Sequence, residues 1–238
     1  MKTKILSLML ILATCIVFLS CSEEDEPQTP KLNKSTLTLY AGSSEKLSYS
    51  GGSCSWSSDA PLIASVTNSG LVEANRVGST TIRANNATCK VTVKPQFTMY
   101  TEPYMSWNAS MSTVKNFMSG YNLSKSSSSS LTYDGRGNVF AYTYSFENGK
   151  LSGSAMGIYL SNADNIGYFI AERYVPVDSD SNYIYFVSLD NKTMGAIGVE
   201  SFVLVAYMPR ESSKSRNNEI LDVEKEKIAK LLTQISVK

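Results

Sequence analysis

Residues 130–160 read SLTYDGRGNVFAYTYSFENGKLSGSAMGIYL and contain three extended segments: SLTYDG (130–135), NVFAYTYSF (138–146) and KLSGSAMGIYL (150–160). In the middle segment Tyr142, Tyr144 and Phe146 alternate, the period of a strand with one buried face. Gly135-Arg136-Gly137 and Asn148-Gly149 separate the segments, and such residues favour the tight turns of hairpins. The stretch therefore predicts an antiparallel meander of three strands.

Upstream, Val114, Phe117, Met118 and Tyr121 fall at i, i+3, i+4 and i+7, one face of a helix. The same order returns downstream. Ile166, Phe169, Ile170 and Tyr174 mark a second amphipathic helix, 52 residues after the first. NYIYFVSL (182–189), TMGAIGVE (193–200) and FVLVAYM (202–208) follow it as strands. Helix then meander, twice over, predicts an α+β binding domain over residues 97–209 with two similar halves. Residues 210–238 read as a linker (ESSKSRNN, 211–218) and an amphipathic helix whose stripe is Ile228, Leu231, Leu232 and Ile235. That stripe is expected to dock on the domain before it. The repeated order resembles the tandem units of the β-lactamase-inhibitor-protein-like fold, which implies a protein-binding scaffold.

Residues 35–95 carry a different pattern. Seven short runs, TLTLY (36–40), KLSYS (46–50), CSWSS (54–58), IASVT (63–67), GLVEA (70–74), TTIRA (80–84) and CKVTV (89–93), are broken by turn residues such as Gly51-Gly52, Asn68-Ser69-Gly70 and Asn85-Asn86. Such spacing predicts a β-sandwich. Leu37-x-Leu39, Gly42, Leu47, Trp56-Ser57-Ser58-Asp59, Ile63-Ala64-Ser65-Val66, Gly70-Leu71-Val72, Gly78-x-Thr80-Thr81-Ile82 and Val91-Thr92-Val93 form an ordered set. This set resembles the bacterial immunoglobulin-like family, group 2, which implies a spacer or adhesion module of cell-surface proteins. The expected fold class is thus mainly β with α+β: an Ig-like sandwich, an α+β domain of two helix-plus-three-strand units, and a C-terminal helix.

At the N-terminus Lys2 and Lys4 precede an uncharged apolar run, residues 5–19, and then the small residue Ser20. That is a secretory pattern, and the run is shorter than the ~20 residues of a spanning helix. Phe18-Leu19-Ser20-Cys21 resembles the lipobox of bacterial lipoproteins. The resemblance implies removal of a signal peptide, residues 1–20, and a membrane anchor through acylated Cys21. Within the tether, 21–34, the run Ser22-Glu23-Glu24-Asp25-Glu26 is either a solvated linker or similar to the acidic tag that directs some Gram-negative lipoproteins to the cell's outer face. The expected location is the bacterial outer membrane, lipid-anchored and exposed at the cell surface.

Two cysteines remain once Cys15 is removed and Cys21 acylated. In an oxidising compartment Cys54 and Cys89 suggest one disulfide. Strand parity places Cys54 on the face of Trp56, and Cys89 on that of Val91 and Val93. Two separate buried thiols are the alternative. Removing Lys2 and Lys4 leaves 20 basic against 21 acidic residues, a net charge of −1, which offers no electrostatic footprint for nucleic acid.

The chain contains no histidine, which excludes histidine-based triads, Cys–His dyads and histidine metal sites. No metal or cofactor is expected. Ser43-x-x-Lys46 and Ser112-x-x-Lys115 have a Ser–Lys spacing without supporting motifs. Asp178-x-Asp180-x-Asn182 opens like a calcium loop, yet Tyr183 and Leu189 stand where glycine and glutamate are required. Glu102, Glu147, Glu172 and Glu200 could supply a glycosidase acid and base. Among the aromatic residues Tyr100, Tyr104 and Trp107 are the candidate ligand-binding set, because flat faces with a polar edge suit sugars or docking proteins. Core packing is the competing reading for them. The function expected is a non-catalytic cell-surface lipoprotein that presents a protein-interaction or adhesion domain on an Ig-like spacer. A surface glycan-binding accessory protein is the alternative, and a carboxylate-based hydrolase comes third.

Overall fold

The computed structural model describes residues 29–210 and 218–236. The expected signal peptide, Cys21 and the acidic run lie outside the described residues. The described chain is mainly β, as expected, and the described strands form three sheets.

The first seven strands are β1 (Thr36–Tyr40), β2 (Ser44–Lys46), β3 (Trp56–Ser58), β4 (Ala64–Val66), β5 (Leu71–Ala74), β6 (Gly78–Ala84) and β7 (Ala87–Lys94). They make a four-stranded sheet, β1-β7-β6-β3, and a three-stranded one, β2-β5-β4. Alternation sends Leu37 and Leu39 of β1 and Val91 and Val93 of β7 inward, where they meet Val72 of β5, Ala64 of β4 and Leu47 in one core. Gly70 sits at φ +83°, and a Cβ there would fall 2.7 Å from the Trp56 ring, so this turn needs glycine. The expected strand 46–50 is displaced. β2 ends at Lys46, Leu47 plugs the core, and Tyr49 bridges only to Leu32.

The expected Cys54–Cys89 disulfide is not formed, and both cysteines are free thiols. Parity assigned each sulfur a face but said nothing of distance. β3 and β7 belong to one sheet with β6 between them. Ile82 of β6 pairs with Ser58 on one side and Cys89 on the other, so Cys89 stands level with Ser58, well along from Cys54. Cys54 itself lies before β3, outside any strand, so strand parity does not set the direction of its side chain. Burial instead pushes the Cys89 thiol pKa up.

The remaining strands, β8 (Leu123–Ser126), β9 (Ser130–Asp134), β10 (Val139–Glu147), β11 (Lys150–Ile158), β12 (Tyr174–Ser179), β13 (Tyr183–Ser188), β14 (Thr193–Val199) and β15 (Val203–Pro209), form one sheet of eight, β12-β13-β14-β15-β11-β10-β9-β8. Every pairing in it is antiparallel. Helix α1 (Met111–Phe117) precedes β8 and α2 (Ile166–Ala171) precedes β12. Each half is therefore a helix followed by four strands, one more than expected, and the halves join where their last strands, β11 and β15, pair.

The two extra strands escaped the sequence for different reasons. β8 is a fully exposed edge strand, LSKS, without apolar alternation. β12 begins at Tyr174, a residue expected in the stripe of the preceding helix. The helices are also shorter than expected. Phe117 ends α1 and stays 57% exposed, with its ring against Tyr104.

The eight-stranded sheet has two different faces. Tyr142, Tyr144 and Phe146 of β10, Met156 and Ile158 of β11, and Val205 and Tyr207 of β15 share the first face with Phe169 and Ile170 of α2 and Val114 of α1 in one core. On the second face lies α3 (Asn218–Ser236). Its Ile228 and Leu232 pack on Tyr185, Val187, Met194 and Ala196. The docking expected of this stripe is thus seen for Ile228, Leu231 and Leu232, while the side chain of Ile235 lies outside the described residues.

Candidate functional site

The aromatic segment before α1 is held in the first face. Residues 97–109 cross the core, and the polar ends of inward side chains fasten them. Tyr142 Oη donates to Thr101 O (3.0 Å), Ser154 Oγ to Tyr104 O (2.7 Å), and Tyr144 Oη accepts from Tyr104 N (3.3 Å). Tyr174 Oη and Tyr207 Oη both donate to Glu102 Oε1, at 2.6 and 3.3 Å. Burial pushes the Tyr142 pKa up to about 12. Burial, reinforced by the Glu102 carboxylate, raises those of Tyr174 and Tyr207 further.

In this arrangement each member of the candidate ligand set, Tyr100, Tyr104 and Trp107, has a packing role. Tyr100 is buried, donates to Asn162 O and meets Phe169 edge-on. Tyr104 is packed against the core through its ring and fastened through its backbone. Trp107 also packs on the core, and its Nε1 donates to Thr193 Oγ1 at 3.0 Å. These rings join the 97–109 segment, a strap across the first face, to both halves of the sheet, with Tyr100 buried and Tyr104 and Trp107 half-buried.

The four glutamates hold separate posts. Glu102 is taken by the two tyrosines. Glu172, at the end of α2, accepts from Gln96 N (2.9 Å) and Phe97 N (3.1 Å) and pairs with Arg173. Glu200 lies exposed between β14 and β15, and Glu147 lies on the rim of a cavity. The calcium-like run Asp178-x-Asp180-x-Asn182 spans the end of β12 and the turn after it, and its carboxylates are engaged within the protein. Asp180 accepts from Asn182 N, Tyr183 N and Tyr185 Oη, while Asp178 accepts from Lys225 of α3 at 2.7 Å. Among the described residues no group of three acidic or cysteine side chains is placed to hold a metal ion.

The cavity, of about 690 Å³, opens on the second face of the first half. Its floor is made by Thr132 of β9, Ala141, Thr143 and Ser145 of β10, and Ala155 and Gly157 of β11. These are the residues that alternate with the buried tyrosines, and they are too small to fill the space above them. Phe140, Phe202, Leu204 and Met208 add apolar surface. The Phe140 ring lies over Gly157, where a Cβ would come within 2.6 Å of it.

Helix α3 forms the far wall with Lys227, Lys230 and Leu231. Its position is fixed by the docked stripe, by Leu231 seated on Gly153, and by two ion pairs. Lys225 reaches Asp178, and Arg210 Nε donates to the buried Glu224 carboxylate at 2.8 Å. Among the described residues Lys125, Lys227, Lys230 and Glu147 are on the cavity lining, together with Arg210, whose guanidinium is paired with Glu224. No sequence signal marked this site, because it exists only where α3 stops covering the sheet.

The junction between the two parts of the chain is also built from specific groups. Val77 N donates to Glu172 O (2.7 Å) and Arg76 Nε to Tyr174 O (3.0 Å). The Arg173 guanidinium lies 3.8 Å from the centre of the Phe169 ring and donates to Phe97 O.

Among known proteins, residues 40–88 match the family model described as intimin, immunoglobulin-like domain. The match supports an Ig-like domain in the first part of the chain. No curated protein matches. Among solved structures, surface layer protein SbsC, domains 4–9, is similar at 15% identity, over 79% of this chain and 27% of that one. The chain spans about a quarter of that solved chain's length, and the TM-score of 0.24 establishes no common fold. Among the described residues no helix is long and apolar enough to cross a membrane.

Proposed function

We propose that this is a non-catalytic cell-surface protein in which the Ig-like domain, anchored through acylated Cys21, holds the eight-stranded domain away from the membrane and presents it to a partner protein. An adhesion-type role at the surface is supported by the intimin-type Ig-like match. One observation carries the spacer reading. β1 runs parallel to β7, with Thr36 level with Lys90 and Tyr40 level with Lys94. The chain therefore enters at the pole opposite Gln96 and Phe97, where Glu172 of the second domain is bound. An entry at one pole and a fastened junction at the other is the geometry of a stalk. The group 2 affinity of the Ig-like domain and the kinship of the second domain with tandem inhibitor-like units belong to the same reading.

Two measurements on intact cells test it. Cys21→Ala should release the protein from the membrane fraction, and external protease should digest the wild type. Deleting residues 97–238 should abolish cross-linking to the partner while leaving the anchored Ig-like domain in place. Continued membrane association of Cys21→Ala, or protection of the wild type from protease, would overturn the reading.

A further inference from the structure

We infer that the cavity between α3 and strands β8–β11 binds an uncharged, predominantly apolar small molecule. The inference adds a small ligand to the proposed display of this domain and does not depend on anchorage. Its test is made on purified protein in solution, so either can fail without the other.

The volume of about 690 Å³ lies within the ~300–1,000 Å³ of small-molecule sites. Charge on the lining selects neither sign. The Arg210 guanidinium is taken by the buried Glu224 carboxylate at 2.8 Å, and Lys125 and Lys227 have interactions of their own. The other charged residues on the lining, Lys230 and Glu147, are opposite in sign. An ion entering here would shed water without a net opposite charge to receive it.

The polar groups of the floor are engaged within the protein. Thr132 Oγ1 and Thr143 Oγ1 share a hydrogen bond across β9 and β10 (3.4 Å), and Ser152 Oγ donates to Ser145 O (3.2 Å). Ser130 Oγ is bonded to Ser127 Oγ at 2.8 Å. What the cavity has to offer is the apolar surface of Phe140, Ala141, Gly157, Phe202, Leu204 and Leu231, and covering such surface favours an apolar occupant. The second half shows what suits this face. There the corresponding surface is covered by Ile228 and Leu232 of α3, and an apolar ligand would do for the first half what these side chains do for the second.

Other ligand classes fit less well. A peptide adding to a sheet needs an open strand edge, but β9, β10 and β11 each have neighbours on both sides. A sugar favours a free aromatic face, yet the Phe140 ring is stacked with Tyr159 and met edge-on by Phe202.

The test uses residues 22–238 and the uncharged fluorophore N-phenyl-1-naphthylamine, whose emission rises when it leaves water. Decanol, decanoate and decyltrimethylammonium compete for it at neutral pH. Saturable binding at a single site is expected, with decanol displacing the probe at concentrations roughly tenfold or more below those of either charged homologue. Amide shifts on saturation with decanol should centre on β9–β11 and the facing side of α3. Thr143→Trp and Ser145→Phe fill the floor from two half-buried positions, and each should abolish binding while β-sheet circular dichroism is kept. Lys230→Glu, at an exposed helix position, should leave affinity for the probe within about twofold. No saturable binding, displacement by either charged homologue as readily as by decanol, or amide shifts centred elsewhere would overturn the inference. So would binding that survives both filled floors, and a larger loss in Lys230→Glu would overturn it in favour of an anion.

Discussion

The two halves of the eight-stranded sheet, β8–β11 and β12–β15, have the same strand order and the same buried first face, yet their second faces differ in every respect that matters for binding. In the second half that face presents Tyr185, Val187, Met194 and Ala196 beneath α3. In the first it presents Thr132, Ala141, Thr143 and Ser145 beneath open space. One face of each strand specifies the fold by alternation. The other is free to be covered by a helix or left as a cavity, and this choice separates a structural half from a candidate binding half.

The strongest test of what the halves share is alkaline pH, because both rely on buried phenols. Tyr142 has its pKa pushed up to about 12 by burial, and Tyr144, Tyr174 and Tyr207 are pushed further. A folded pKa raised above the unfolded value of ~10 contributes stability that is complete below that value and is lost as pH rises through the folded one. Both halves should therefore unfold in one transition above pH ~10, with tyrosinate absorbance and loss of β-sheet circular dichroism coinciding. Two separated transitions would show that the shared core is not one unit.

The next effect should fall on one half alone. Glu172 caps α2 and is bound to the Ig-like domain, whereas the corresponding cap of α1 is Met118. Glu172→Ala should cost about 3–5 kcal/mol in urea unfolding, since it leaves Arg173 and two backbone donors without their carboxylate. Ser119→Ala, beside the α1 cap and exposed, should stay within about 0.5 kcal/mol. Equal costs would remove the asymmetry.

Glycines beneath aromatic rings give a finer comparison. A Cβ at Gly195 would lie 2.0 Å from the fully buried Phe186 ring, and one at Gly157 would lie 2.6 Å from the half-buried Phe140 ring. Overpacking should cost about 2–3 kcal/mol for Gly195→Ala and about 1 kcal/mol for Gly157→Ala, read as a larger fall in Tm for the first.

The smallest effect concerns the cover itself. The hydrogen bond from Lys225 holds the Asp178 pKa below its usual value. Its contribution is present above the unfolded pKa of ~4 and is lost as pH falls through the lower folded one. Below pH ~4 the amides of α3 should exchange faster than those of β9 and β10. Equal rates would show that this pair does not help to hold the helix.

Much of this architecture is legible in the sequence because it is periodic. Tyr142, Tyr144 and Phe146 announce β10 at period two, and Ile166, Phe169 and Ile170 announce α2 at helical spacing. β8 is silent because an exposed edge strand buries nothing. The strap residues Tyr100, Tyr104 and Trp107 were legible as a cluster but not as to their task. Composition cannot say whether a ring's polar edge meets solvent or, as at Trp107, a threonine two strands into the other half. The disulfide expectation failed for a related reason, since parity speaks to Cys89 but not to Cys54, which lies outside any strand, nor to the strand between them. The cavity was illegible throughout. It depends on where α3 lands, and that is decided by Gly153, Arg210 and Asp178 at distant points in the chain.

The parallel pairing of β1 with β7 has a mechanical consequence. A pull on the N-terminal side enters β1 at Thr36, while resistance from the second domain arrives at the Lys94 end of β7, so the two strands are loaded at opposite ends. Their five register pairs then lie in shear and must yield together, not peel apart one after another. A domain of this topology should stay folded under tension applied along its length and give way most readily to a force applied across it.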